Sequence, residues 1–112
     1  GRICRHCRTP VEIPEQVLRY LRLTVKPGTV FYEGKGCEAC RQTGYLGRVG
    51  ITEVLSVDDR IREMLILGQS SAAIKEYART AQQMVTLRDD ILKKFEQGET
   101  TLEEVWRITS GE

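Results

Sequence analysis

All four cysteines of the chain fall into two pairs of identical spacing, and these pairs restrict the possible folds more than any other feature. The pairs are Cys4-Arg5-His6-Cys7 and Cys37-Glu38-Ala39-Cys40, with 29 residues between them. A Cys-x-x-Cys turn directs two sulfurs to one point, so each pair supplies half of a tetrahedral thiolate site. Two halves form a closed shell of the kind that holds structural Zn²⁺, with no position open for a substrate. We therefore expect one zinc ion bound by Cys4, Cys7, Cys37 and Cys40.

Other uses of these cysteines remain open on the residues alone. A redox site uses one Cys-x-x-Cys with a nucleophilic thiol, and a second matched pair has no role in it. A disulfide framework needs an oxidising compartment, and nothing in the chain resembles a secretory signal. His6 lies inside the first turn, and we expect it to be an exposed turn residue because four sulfurs already complete the shell. Reduced thiols without an export signal indicate the cytoplasm.

Charge is distributed unevenly along the chain. Residues 1–48 hold nine Lys/Arg against four Glu, a net of +5, and residues 49–112 hold eight Lys/Arg against twelve Asp/Glu, a net of −4. Four thiolates around Zn²⁺ leave a charge of −2, so nearby cations stabilise such a centre. Arg5, Arg8 and Arg41 are adjacent to cysteines in the sequence and suit this role. A nucleic-acid stripe is the weaker alternative, because the cations are scattered.

The predicted fold class is α+β. Residues 1–50 are predicted to form a small tetracysteine metal-binding subdomain with short strands and one helix. Residues 51–112 are predicted to form a strand followed by a compact bundle of about four helices. A chain of 112 residues fits one domain or two small subdomains that share a core. No apolar run is long enough to span a membrane.

Local signals predict the individual elements. A helix is expected from Pro14 to about Leu23, and short strands over residues 29–33 and 50–55. Glu53 lies on the same face of the second strand as Ile51 and Leu55. It is expected to pair with a buried arginine such as Arg48, to face a neighbouring domain, or to mark an exposed strand edge.

Four helices are expected after residue 55, with starts at Ser56, at Ser70 or Ser71, at Thr86 with Asp89 in a capping box, and at Thr100 or Thr101. Gly68 and Gly98 are expected to end the first and third of them. Each helix is expected to bury a stripe of apolar side chains. Trp106 is expected to belong to the core, and the alternative is that it anchors a docking partner. The full list of the expected stripes is Ile61, Met64, Leu65; Ile74, Tyr77, Ala78, Ala81; Leu87, Ile91, Leu92, Phe95; and Leu102, Val105, Trp106, Ile108.

The chain lacks the sequence motifs of a self-contained catalyst. It has no phosphate-binding Gly-x-x-x-x-Gly-Lys-Ser/Thr loop, no Gly-x-Gly-x-x-Gly and no Gly-x-Ser-x-Gly. Its one histidine, His6, is inside a cysteine turn, and its acidic pairs lie at predicted helix starts, where the helix dipole accounts for them. We therefore interpret the residues as a metal-stabilised, non-catalytic module.

Four segments closely resemble the secretion ATPases of the type II secretion and type IV pilus assembly family. They are RICRHC at residues 2–7, GCEACRQTGYLGRVGITEVL at 36–55, MVTLRDD at 84–90 and GETTLEEVWRIT at 98–109. The resemblance extends over essentially the whole chain in order. The acidic run Val57-Asp58-Asp59 and the spacing of the cysteine pairs favour the type II secretion branch over the pilus branch.

The resemblance implies that this chain is the C-terminal part of a longer, cytoplasmic traffic ATPase that acts as a hexamer at the inner membrane. It implies zinc binding by Cys4, Cys7, Cys37 and Cys40, and places ATP and Mg²⁺ only in an upstream domain. The implied partners are the rest of the ATPase chain, neighbouring hexamer subunits and inner-membrane platform proteins, with no nucleic acid. The alternative hypothesis is a free-standing zinc-ribbon module that binds nucleic acid or protein.

Overall fold

The computed structural model describes residues 1–82 and 84–110 of the chain. The elements follow the order β1 (Arg8–Val11), α1 (Glu15–Tyr20), β2 (Phe31–Gly34), a 3-10 turn (Glu38–Cys40), α2 (Asp59–Ile66), α3 (Ser71–Ala81), α4 (Leu87–Glu96) and α5 (Leu102–Thr109). The α+β prediction is confirmed, with a two-stranded sheet and clustered cysteines followed by four helices. In the described residues, no helix is both long and apolar enough to cross a bilayer.

The sheet is an antiparallel pair of short strands that was only half predicted. β1 pairs with β2 from Arg8 opposite Gly34 to Val11 opposite Phe31. The strand expected at residues 29–33 is therefore present, shifted by one to two residues. β1 was missed because Pro10 occupies it, and proline lacks the N–H that a central strand requires. In a two-stranded ribbon both strands are edges, so Pro10 is tolerated opposite Tyr32.

Helix α1 is shorter than predicted because the backbone turns left-handed at Arg22. Pro14 is the N-cap, not the first helical residue, and the helix ends at Tyr20. The N–H of Leu23 donates to the carbonyl of Leu18 at 2.9 Å, and the N–H of Arg22 donates to that of Arg19 at 2.9 Å. This is the Schellman ending, with Arg22 at φ +56° in the position that glycine normally takes.

The strand predicted over residues 50–55 does not form. Among the described residues, this segment has a single isolated bridge, between Val54 and Val85. An alternating apolar pattern needs a neighbouring strand to complete its hydrogen bonds, and this segment has only a single bridging residue beside it. The expectation that Glu53 faces a neighbouring domain stays a prediction, whereas the pairing with Arg48 and the strand edge are not found within the ranges that the structure describes. Glu53 accepts the N–H of Leu87 at 3.3 Å and pairs with the Lys75 ammonium at 3.3 Å. It thereby ties the start of α4 to α3.

The helix caps agree with the sequence except at the first. Asp58, not Ser56, caps α2 by accepting the N–H of Ile61 at 2.9 Å. Ser70 caps α3, Thr86 and Asp89 form the expected capping box on α4, and Thr101 caps α5. Gly68 and Gly98 follow the ends of α2 and α4 at φ +71° and +77°, as predicted.

Two separate clusters of buried side chains hold the helices. One joins α1 and β2 to α4 and α5, with Phe31 stacked on Phe95 at 4.5 Å between ring centroids. The other lies between α2 and α3 and contains Ile61, Met64, Ile74, Ala78 and Met84. The four helices thus form two consecutive pairs, and the second pair shares its core with the cysteine-bearing segment.

Three positions of the predicted core stripes are exposed. Leu65 is 57% exposed and Trp106 is 37% exposed, and Ala81 is also on the surface. On α2, Leu65 points away from α3, because the buried cluster takes only the face that carries Ile61 and Met64.

Candidate metal centre

The first cysteine turn is held from both sides by backbone hydrogen bonds. Cys4 is fully buried, and its N–H donates to the carbonyl of Gly44 at 2.9 Å. Cys7 directly precedes β1, and its carbonyl accepts the N–H of Lys35 at 3.3 Å. The sheet therefore fixes the position of Cys7 relative to the segment that leads into the second turn.

The second turn is a single 3-10 turn that begins at the extended residue Cys37. Its backbone reverses through two consecutive left-handed residues, Arg41 at φ +54° and Gln42 at φ +66°. The N–H of Gln42 returns to the carbonyl of Cys37 at 2.8 Å and closes the loop. The reversal carries the chain around the Cys40 sulfur.

Two glycines allow the turns to approach each other. A Cβ on Gly34 would lie 2.1 Å from the carbonyl oxygen of Gly44, and a Cβ on Gly44 would lie 2.4 Å from that of Gly34. Gly44 also has φ +81°, a conformation that favours glycine. Backbone meets backbone here, so neither position accepts a side chain without a shift of the main chain.

The structure brings the four predicted ligand residues together. All four sulfurs lie within 4.8 Å of one another. The recorded Sγ–Sγ distances are 3.8 Å for Cys4–Cys37, 3.8 Å for Cys7–Cys40 and 3.7 Å for Cys37–Cys40. A tetrahedron with Zn–S bonds of about 2.3 Å has edges of about 3.8 Å. The spacing therefore matches a zinc shell and is far longer than a disulfide bond of about 2.05 Å.

Backbone N–H groups point at two of the sulfurs. Gly36 donates to Cys7 Sγ at 3.3 Å, and Cys37 and Gly44 each donate to Cys40 Sγ at 3.2 Å. Burial acts to raise the pKa of Cys40, but the hydrogen bonds from the Cys37 and Gly44 N–H groups, together with those from the neighbouring thiols, lower the pKa to about 6. Burial, with the neighbouring thiols, raises the pKa of Cys7 to about 12. Opposite pKa shifts at two adjacent thiols are typical of closely spaced groups that compete for one negative charge, and a bound cation would relieve this competition.

The arginines next to the cysteines lie on the surface. Arg5 and Arg41 are exposed, as is His6. Arg8 lies 3.5 Å above the Tyr32 ring centroid. Within residues 1–82 and 84–110, backbone N–H groups and thiols are the hydrogen-bond donors to the sulfurs, and no guanidinium is among them. The direct hydrogen bonds to the sulfurs thus come from the backbone, and charge compensation by the arginines stays a prediction.

The loop between α4 and α5 attaches to the cysteine turns, a feature that the sequence did not reveal. Arg8 donates to the carbonyl of Gly98 at 3.3 Å, and the N–H of Ile3 donates to that of Glu99 at 3.0 Å. The hydroxyls of Tyr45 and Thr101 are 2.6 Å apart. The residues flanking the candidate metal centre therefore contact the loop that joins the last two helices.

Comparison with known proteins identifies where such a chain occurs. The family model for type II/IV secretion system proteins matches residues 1–107. The chain is 48% identical over 106 residues to the type IV pilus assembly ATPase PilB of Thermus thermophilus, covering 93% of this chain and 12% of that protein. It is 35% identical over 107 residues to the type II secretion system ATPase E of Vibrio cholerae, covering 96% and 21%.

A further relative is the type II secretion system protein E of Dickeya dadantii, which is 37% identical over 110 residues, covering 98% of this chain and 21% of that protein. The chain thus spans between about an eighth and a fifth of the length of these relatives. Identity is higher to the pilus ATPase than to the two secretion proteins, so the sequence-based preference for the type II secretion branch gains no support.

Proposed function

Because this chain belongs to the family of type II/IV secretion system proteins, we propose that it serves as a zinc-binding accessory domain of a secretion or pilus assembly ATPase. Its role is structural and coupling, and it does not hydrolyse ATP by itself. The observation that carries this proposal is the cluster of four sulfurs, all within 4.8 Å of one another and with three Sγ–Sγ distances of 3.7–3.8 Å, in a chain of this family.

Zinc is the cofactor that the donor set fits, with Cys4, Cys7, Cys37 and Cys40 as its ligands. When bound, it supplies the positive charge that lets all four thiols ionise and links two turns that are far apart in sequence. The chain's own residues do the rest: the Gly34–Gly44 contact sets the distance between the turns, and the N–H groups of Gly36 and Gly44 orient sulfur lone pairs.

Coupling is proposed to run through the loop between α4 and α5. The contacts from Ile3, Arg8 and Tyr45 to residues 98–101 connect the cysteine turns to two helices. We retain the division into a metal-binding part, residues 1–50, and a helical part, residues 51–112, with the qualification that the two share a buried cluster.

The parent protein is proposed to act as a cytoplasmic hexamer, peripheral to the inner membrane through its partners. Its ATP and Mg²⁺ sites lie outside this chain. Neighbouring subunits, the remaining ATPase chain and inner-membrane platform proteins are its proposed partners, with no role for nucleic acid.

Elemental analysis of reduced, purified protein tests the metal proposal. We expect one zinc per chain, and loss of this zinc with unfolding of residues 1–48 in Cys37→Ser. A fully folded, metal-free chain whose four thiols react freely with an alkylating reagent would refute it. An ATPase assay on the same sample tests the accessory role: turnover would contradict it. Salt-dependent binding of a DNA or RNA oligonucleotide would instead favour a free-standing binding module.

A further inference from the structure

A cleft of about 760 Å³ lies where the end of α1 meets α3, the start of α4 and the end of α5. Three arginines line it, Arg22, Arg79 and Arg88, with one carboxylate, Asp89. Two aromatic side chains, Tyr20 and Trp106, also line the cleft. The cleft shares no residue with the four cysteines or the turns that carry them.

The charges in this cleft are only partly compensated. Arg79 pairs with Glu76 at 2.9 Å, and Arg88 donates to the carbonyl of Leu21 at 2.9 Å. Asp89 is engaged by the N–H of Thr86 at 3.1 Å in the α4 capping box. In the described part of the chain, no carboxylate lies within 4.0 Å of the Arg22 guanidinium. The cleft therefore presents an uncompensated cation beside two others.

The cationic surface continues beyond the cleft. Arg22 and Arg88 also line an adjoining groove together with Lys26 and Lys93. Residues 49–112 carry a net charge of −4, with eight Lys/Arg against twelve Asp/Glu. Arg22 and Lys26 come from the basic residues 1–48, and Arg88 and Lys93 come from residues 49–112. Asp89 and Glu96 also line the groove, so its four cations outnumber its two carboxylates and complement an anionic partner.

The backbone conformation at Arg22 does not favour arginine. It is the left-handed residue that ends α1, at φ +56°, where glycine is favoured because it has no Cβ. An arginine at such a position, lining a cleft and with no carboxylate of the described chain within 4.0 Å, favours a function for that side chain.

The aromatic side of the cleft favours a polypeptide over a nucleotide. Tyr20 is 75% exposed and Trp106 is 37% exposed, and their ring centroids are 5.7 Å apart at an angle of 57°. The rings contact each other, so no gap remains for a planar base between them. Their exposed faces offer a surface for an aliphatic or aromatic side chain.

We propose that this cleft binds an acidic polypeptide segment. Carboxylates of the segment pair with Arg22, Arg88 and Arg79, and an apolar side chain two to four residues away packs on Tyr20 and Trp106. Arginine forks suit carboxylates because they donate two parallel hydrogen bonds. The proposal does not rest on the role of the metal centre.

Trp106 is the single tryptophan of the chain, so its fluorescence reports directly on the cleft. The zinc-loaded chain is titrated with a twelve-residue peptide made of four Glu-Glu-Leu repeats and with a peptide of four Lys-Lys-Leu repeats. We expect the acidic peptide to shift the Trp106 emission saturably, with affinity that falls steeply between about 50 and 500 mM NaCl. The basic peptide is expected to have no effect.

Arg22→Gly separates binding from folding. Glycine relieves the left-handed strain, so the unfolding midpoint is expected to stay level or rise, while affinity for the acidic peptide falls at least about ten-fold. Arg19→Ala is the matched control, because Arg19 lies one turn earlier on α1, pairs with Glu15 and is outside the cleft. It is expected to leave binding unchanged.

The proposal is overturned if neither peptide perturbs Trp106, if both peptides bind equally, or if Arg22→Gly and Arg19→Ala have the same effect. ATP or inorganic phosphate could also displace the acidic peptide from the wild-type cleft. If either one binds wild type directly and does not bind Arg22→Gly, the cleft is assigned to phosphate-bearing ligands and the polypeptide assignment is overturned.

Discussion

Gly98 follows the end of α4, in the loop between α4 and α5. Its carbonyl accepts a hydrogen bond from Arg8, the residue after Cys7. An added Cβ would lie 2.4 Å from Arg8 Nη2 and 3.0 Å from the Tyr32 ring, in a backbone at φ +77°. Gly68 ends α2 with almost the same geometry, φ +71°, but its Cβ would meet nothing within 4 Å. Gly98→Ala and Gly68→Ala therefore impose the same backbone strain and differ only in what the methyl group displaces.

The magnitudes follow from those contacts. Left-handed strain costs about 1 kcal/mol in either variant. In Gly98→Ala the flexible end of Arg8 can move away, so the additional cost is that of the lost contacts. These are the hydrogen bond to the Gly98 carbonyl, worth about 1 kcal/mol, and the cation–π contact with Tyr32, worth about 0.5–1 kcal/mol. We expect destabilisation of about 2.5–3 kcal/mol for Gly98→Ala and about 1 kcal/mol for Gly68→Ala.

Urea unfolding of the zinc-loaded chain measures both values. A colorimetric chelator measures the second consequence: zinc is expected to leave Gly98→Ala several times faster than wild type, because Arg8 adjoins the proposed ligand Cys7. In Gly68→Ala the release rate is expected to be unchanged. Equal destabilisation by the two substitutions, or equal rates of zinc release, would refute coupling through the loop between α4 and α5.

Three further predictions concern the core, the ligands and pH. Phe95→Ala removes a fully buried ring that stacks on Phe31 and is expected to cost about 3–5 kcal/mol, read as a lowered urea midpoint; an unchanged midpoint would contradict the shared core. Cys37→Ser is expected to increase amide exchange in α4 and α5 as well as in residues 1–48 while α2 and α3 stay protected, and uniform loss of protection would argue against two clusters. The N–H of Ile61, followed by the Tyr77 hydroxyl, lowers the pKa of Asp58 in the folded protein. The stability that the Asp58 carboxylate contributes is therefore present above its unfolded pKa of about 3.9 and is lost as pH falls through the lower folded pKa. Asp58→Asn is expected to flatten this acid-side loss in α2–α3 melting curves, and an identical pH profile would show that the carboxylate is not responsible.

The features that were predictable from the sequence are those determined within a few residues. The Cys-x-x-Cys turns, the Thr86–Asp89 capping box and the glycine after α4 each depend on neighbours in the chain. The coincidence of the four sulfurs was predicted because a metal shell needs all four, although its occupancy by zinc remains a proposal.

The features that escaped prediction depend on groups far apart in sequence. The pairing of Arg8–Val11 with Phe31–Gly34 and the Gly34–Gly44 contact join segments that have no local signal for each other. The segment around Val54 shows the opposite error: its apolar pattern suits a strand, but a strand also needs a partner along its length. Leu65 shows a third, since a helical stripe indicates possible burial and only the packing of α3 decides which of its members is covered.

The stacking of Phe31 on Phe95 has a consequence for how this chain can vary. Both ends of the described chain contribute to one interior, while α2 and α3 form theirs from the middle. The hairpin of α2 and α3 is therefore an insertion into a unit whose buried cluster is formed without it. Insertions or deletions within that hairpin are expected to leave the cysteine-bearing unit intact. Truncation after residue 50 would instead remove the side chains that pack against Leu21 and Phe31. The smallest piece expected to fold alone is thus discontinuous in sequence.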